Sequence, residues 1–125
     1  MKGYVGNIEE VAEKNNHFRE VIYTATHTQL VVMSLLPGED IGVESHGNVD
    51  QFFRIEKGTV EITMHGEKHT LTEGMAAIVP AGTEHNLKNI GNSVVKLYTL
   101  YSPPNHPANT IHLTKNEAML AEEHH

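Results

Sequence analysis

A chain of 125 residues has the length for one hydrophobic core, and 38% hydrophobic with 6% aromatic content and no Trp points to a small core under much polar surface. With 16 acidic against 9 basic residues the formal charge is -7 and no basic cluster interrupts it, which argues against nucleic acid or a membrane as a partner. Cysteine is absent, so disulfides and thiolate metal sites are excluded, and any metal must be held by nitrogen and oxygen donors.

Met1 to Asn16 mixes charged and polar residues unlike a signal peptide, and no apolar run approaches bilayer-spanning length, so a cytoplasmic protein is expected. Within "NIEEVAEKNN", Ile8, Val11 and Ala12 fall at helical spacing and predict a short amphipathic helix. From Phe18 onward the pattern shortens to "FREVIYTA", "QLVVMSLL", "QFFRIEKG", "TVEITMHG", "EKHTLTEG", "MAAIVPAG" and "VVKLYTLYS", each bounded by Gly, Pro, Asn or Asp. Many short strands in succession predict a sandwich or barrel. Val60, Ile62 and Met64 alternate with Thr59, Glu61 and Thr63, a strand with one buried face, and His65-Gly66 reads as a hairpin tip from which Glu67 to Leu71 returns. The segment "SPPNHPAN", Ser102 to Asn109, is a proline-rich turn or extended piece suited to covering an edge or reaching a neighbour. In "TKNEAMLAEE", Thr114 followed three residues later by Glu117 is a capping box and predicts a short terminal helix. No repeat or linker divides the chain, so residues 1–125 are expected to form a single domain.

One stretch, "IGVESHGNVDQFFRIEKG", gathers polar chemistry. Strand residues two apart share a face, so Glu44 and His46 can project inward from one strand and converge on a single ion. Gln51 shares parity with Phe53 and Ile55, which sets its amide on the buried face, where it needs a partner. Asp50 competes as the acidic ligand but has the opposite parity unless the strand bulges. In "GMAAIVPAGTEHNLKN", Pro80 and Gly82 shape a tight turn that delivers His85 at the start of the next strand, where it can face the first group across a barrel. His17, His27, His65, His69, His106 and His112 lie in loops, turns or strand edges and are expected to be solvent-exposed, while His124 and His125 read as tail or tag residues. Arg54 has the parity opposite to Gln51 and fits a surface or interface ion pair. Tyr98 and Tyr101 have opposite parities, so at most one lines a cavity.

These runs resemble the two motifs of the cupin family. From Gly38, a five-residue gap leads to Glu44, with His46 two on, a four-residue gap leads to Gln51, and a six-residue gap leads to Gly58. Gly74, Pro80, Gly82, His85 and Asn89 match the second motif in type and spacing, and the resemblance spans about residues 30 to 101. Glu44 stands where the family has its first histidine and Gln51 where it has a glutamate. The resemblance implies an all-β cupin fold, a double-stranded β-helix or jelly-roll barrel, here with short N- and C-terminal helices. It implies a metal sphere of Glu44, His46, Gln51 and His85 with room for water or substrate. Mixed nitrogen and oxygen donors suit divalent Mn, Fe, Co, Ni or Zn. A homodimer is also implied.

Several functions fit this pattern. The first is a small metalloenzyme acting on a small polar organic molecule, resembling cupin dioxygenases or sugar isomerases, with Glu44 as catalytic base. The second is a non-catalytic module that binds or senses a small ligand. A metal staple joining strands is a third, and a metal-free network of Glu44, His46, Gln51 and His85 is a fourth.

Overall fold

The computed structural model describes residues 2–123, so His124 and His125 lie outside the described residues. In chain order the elements are α1 (Ile8–Lys14), β1 (Arg19–Thr24), β2 (Gln29–Leu35), β3 (Asp50–Lys57), β4 (Val60–Met64), β5 (Glu67–Leu71), β6 (Ala76–Val79), β7 (His85–Asn89), β8 (Val95–Ser102), β9 (Ile111–His112) and α2 (Lys115–Glu123). Strands are arranged in two antiparallel layers. One sheet has the order β6-β3-β8-β2-β1-β9, the other β5-β4-β7.

Alternation decides which side chains fill the space between the layers. Gln51, Phe53 and Ile55 point inward from β3; Val31, Met33 and Leu35 from β2; Leu97, Thr99 and Tyr101 from β8; Val60 and Ile62 from β4; and His85, Leu87 and Asn89 from β7, all essentially buried. The cross-strand register sets Gln51 opposite Tyr101, Phe53 opposite Thr99 and Ile55 opposite Leu97. Polar residues therefore gather toward one end of the β3–β8 pair and aliphatic ones toward the other.

Local signals account for the edges of these elements. Asn7 caps α1 by accepting the Glu10 amide at 3.1 Å. The β4–β5 hairpin closes Met64 against Glu67, with His65 at φ 52° and Gly66 at φ 81°, both in the left-handed region that a two-residue turn of this hand requires. At α2 the Thr114 hydroxyl accepts the Glu117 amide at 3.1 Å, one arm of the predicted capping box. β7 is the strand that His85 is expected to begin, whereas β9 goes beyond the sequence expectation because it is too short for periodicity to mark. The proline-rich segment folds back on its own chain: the Asn105 and His106 amides donate to Gln29 Oε1 at 3.1 and 3.0 Å, and Gln29 Nε2 donates to the His106 carbonyl at 2.7 Å. β6 is an edge strand whose Ile78 is 65% exposed. Among the described residues, no helix is long and apolar enough to cross a membrane.

Gly58, which ends the first motif, links β3 to β4 at φ 95°, and a Cβ there would lie 2.8 Å from Val95 Cγ2 and 3.2 Å from Val95 Cα. Left-handed strain and the clash act together. Gly58→Ala should lower stability by about 1–3 kcal/mol in urea unfolding. Gly47→Ala, whose Cβ would meet nothing within 4 Å, should stay within about 0.5 kcal/mol.

Candidate metal centre

The segment between β2 and β3 positions the first two site residues. Contrary to the expectation of one regular strand under both, Glu44 and His46 lie in an irregular connection, of which Glu44 forms only an isolated bridge to His85. The reason is visible in the hydrogen bonds. Gly38 donates to Asn89 O at 3.1 Å, Ile41 to Leu87 O at 3.0 Å and Glu44 to His85 O at 2.9 Å, so the segment follows β7 with more than one residue per rung. Too many residues for a flat ladder force bulges, and Gly42 at φ 87° absorbs one of them. His46 is then fixed from behind, because its carbonyl accepts the Gly82 amide at 2.7 Å.

Glu44, His46 and His85 converge: one ligating atom from each lies within 4.8 Å of the others. His46 Nε2 is 2.9 Å from Glu44 Oε2. The two imidazole rings are 5.7 Å apart between centroids, and Phe53 packs edge-on to His85 at 6.1 Å. Gln51 completes the inner wall: its Oε1 is 3.1 Å from His85 Nε2, and its Nε2 donates to Thr99 Oγ1 at 3.0 Å. Burial is graded. Gln51 and His85 are 1% and 2% exposed, whereas the Glu44 and His46 side chains retain 16% and 17%.

His85 provides the test of whether these residues suit a cation. Its Nδ1–H donates to the Thr83 carbonyl at 2.9 Å, the second-sphere contact that fixes a ligating imidazole. Its Nε2, 3.1 Å from Gln51 Oε1, is the ring nitrogen turned into the cluster. A cation in the cluster would be within reach of both this nitrogen and the Gln51 amide oxygen. The donor set of one carboxylate, two imidazoles and one amide oxygen fits a divalent first-row metal.

The other sequence candidates sort clearly. Asp50 is exposed and accepts the Ala81 amide at 2.8 Å, which shapes the turn before His85 and leaves Gln51 as the inward residue. Arg54 pairs with Glu56 at 3.7 Å. Of the two tyrosines, Tyr101 is the one at the site: it is 1% exposed, and its ring centroid is 6.0 Å from that of His46. Burial pushes its hydroxyl far above the usual phenol range despite opposing influence from Arg19, and Glu44 reinforces the rise. Of the six histidines expected to be exposed, His27, His65 and His69 are, but His17, His106 and His112 are half-buried. His17 Nδ1 lies 2.7 Å from Glu20 Oε1, and His106 packs edge-on against Tyr101 at 5.0 Å. Asn89 of the second motif stands away from the ligands and donates to Leu35 O at 3.0 Å and Ser93 O at 2.9 Å.

Sequence reasoning passed over Arg19. It is 2% exposed, with NH2 4.0 Å from Glu44 Oε1 and NH1 3.4 Å from His112 Nδ1. A signal was present: Arg19 shares parity with Val21 at the head of "REVIYT", so an inward strand places a guanidinium in the barrel.

Residues 31–101 match the cupin domain family, and the chain belongs to it. It is 47% identical over 128 residues to the uncharacterised protein YrkC of Bacillus subtilis, an alignment covering 98% of this chain and 69% of YrkC. An uncharacterised protein of Acanthamoeba polyphaga mimivirus is 48% identical, with 92% of this chain and 74% of that protein covered. A crystal structure of a Bacillus halodurans protein superposes with a TM-score of 0.93 at 41% identity, covering 95% of each chain.

Asp40 ties the start of the site segment to the rest of the molecule. It accepts from Lys115 of α2, from Asn86 at 3.3 Å and from the Gly42 amide at 3.1 Å. Burial raises its pKa, but the Lys115 and Asn86 hydrogen bonds, with the Lys115 charge and the Gly42 amide, outweigh that and hold it below the usual carboxylate value. A depressed folded value means that the stabilisation is complete above about pH 4 and is lost as pH falls through the folded value. Asp40→Asn should cost about 1 kcal/mol or less at pH 7, since the pair is partly screened. The gap between variant and parent in thermal unfolding should close in strongly acidic buffer; a gap that persists unchanged there would show the carboxylate charge to be irrelevant.

Proposed function

We propose that Glu44, His46, Gln51 and His85 hold a divalent transition metal, Mn, Fe, Co, Ni or Zn, and that the chain catalyses proton transfer on a small polar molecule bearing hydroxyl and carbonyl groups, in the manner of a sugar isomerase. The observation that carries this reading is the pairing of a carboxylate and an imidazole, Glu44 Oε2 and His46 Nε2 at 2.9 Å, on the slightly exposed rim of an otherwise buried cluster. When bound, the metal supplies Lewis-acid polarisation of a substrate oxygen.

The remaining work falls to the chain. Glu44 is the catalytic base, because it is reachable from solvent and sits on an irregular segment that can adjust, whereas Gln51 and His85 are locked on strands. His46, 2.9 Å from the Glu44 carboxylate, fixes the position of that carboxylate in the cluster. The apolar wall of Phe53 beneath His85 keeps water from the inner side. A second reading, binding without turnover, is favoured by one feature: Glu44 is engaged by both His46 and Arg19, which restrains it as a base. Dioxygenase chemistry is a third outcome, read by oxygen uptake.

Protein prepared without a histidine tag or nickel column should contain about one equivalent of transition metal by elemental analysis, and the Glu44→Ala, His46→Ala, His85→Ala triple variant should contain almost none. Equal metal in both would end the assignment. Metal-replete parent in D2O should introduce deuterium next to the carbonyl of pentoses or hexoses, read by NMR. Saturable sugar binding without exchange would establish the binding reading instead, and oxygen uptake without exchange the dioxygenase one.

A further inference from the structure

An antiparallel sheet with one wet face carries polar residues outward. The six-stranded sheet departs from that at one rung. Its outward residues there are Ile78 on β6, Phe52 on β3, Leu100 on β8 and Leu30 on β2, set side by side by the cross-strand register. Tyr98, outward on the next rung, holds its ring 6.2 Å from that of Phe52. Phe52, Leu100, Leu30 and Tyr98 keep part of their surface in water, and Ile78 is largely exposed. The helices lie elsewhere. α1 covers the far end of this face, where the Glu56 side chain is 6% exposed and Lys96 Nζ donates to Asn16 Oδ1 at 3.0 Å, and α2 packs on β9.

The charges beside this apolar row have an order. Along β3 the outward residues read Asp50, Phe52, Arg54: a negative, an apolar and a positive side chain at equal spacing. Arg54 Nε is enclosed without a hydrogen-bond acceptor among the described residues, and its pairing with Glu56 at 3.7 Å is longer than a hydrogen bond. Consider a two-fold axis laid along the row, in the plane of contact. It reverses the strand direction of the second copy, seats each row residue on its own counterpart and sets Arg54 against Asp50 of the second copy. On β8 the same operation sets Tyr98 against Ser102 of the second copy. A second copy meets this order of charges by symmetry, whereas an unrelated partner would have to carry it by design. Repulsion argues alike. Two copies of net charge -7 repel each other, and here, where Asp50 and Arg54 cancel, they approach at least cost.

We propose that the outer face of the six-stranded sheet is a docking surface for a second copy of this chain, in a face-to-face dimer registered by two reciprocal Asp50–Arg54 pairs. The inference is independent of the metal reading. Neither residue belongs to the candidate centre.

The experiment is sedimentation velocity on the full chain. As concentration rises from about 5 to about 200 µM, the parent should pass from monomer to dimer. Phe52→Glu and Ile78→Lys should each keep it monomeric throughout, whereas Leu113→Lys, at an apolar residue 53% exposed outside the row, should not. Asp50→Arg alone and Arg54→Asp alone each bring like charges together and should leave monomers. An equimolar mixture of those two variants should sediment as a heterodimer, because every Arg then meets an Asp. A merely structural role for either residue would not be rescued by mixing. Asp50 also holds the Ala81 amide, so should Asp50→Arg fail to fold by circular dichroism, Phe52→Glu and Ile78→Lys decide alone. A parent that stays monomeric at the highest concentration overturns the proposal, and so does a parent dimer that survives both of those variants.

Discussion

Two reciprocal backbone hydrogen bonds, Glu44 N–H to His85 O and His85 N–H to Glu44 O, each 2.9 Å, hold the centre of this molecule together. They are the contact at which two distant pieces of chain meet, one ligand on each piece, before any side chain or ion takes part. Their strength is ordinary, about 1 kcal/mol net each. Their position is what counts. Because the paired residues are themselves members of the cluster, the side chains on either side of the rung are set by backbone geometry, and the site is organised in the absence of a ligand.

From that rung the structure divides into a rigid half and an adjustable half. Gln51 and His85 belong to strands with partners on both sides of their chain: Gln51 lies in β3 between β6 and β8, and His85 is paired by β4 as well as by Glu44. Their rotamers are held by Thr99, Thr83 and Phe53. Glu44 and His46 occupy a bulged connection with fewer ties. A barrel of this kind joins a firm inner wall to a rim with fewer ties.

Much of this was legible in the sequence because it depends on period and parity. The alternation around Phe53 and Ile55 fixed Gln51 as the inward residue and Asp50 as the outward one, and the motif spacings named Glu44, His46 and His85 before their meeting could be seen. Parity failed where the backbone stops alternating. Glu44 and His46 share a face without sharing a regular strand, because the bulges near Gly42 reset the count. Arg19 was passed over for another reason. An arginine is so commonly a surface residue that its inward parity at the start of β1 is outweighed by its composition, and only burial reveals it. The half-buried His106 and His112 depended on the returning proline-rich segment and on two-residue β9, neither of which has a periodic signature.

Pro80 closes β6, the four-residue strand that borders the larger sheet and carries the protruding Ile78. Having no amide hydrogen, it cannot lengthen the row of donors that this border offers to a passing polypeptide. The same ring that bends the chain toward His85 thus also truncates a sticky margin, and any change there would be felt in solubility as well as in chemistry.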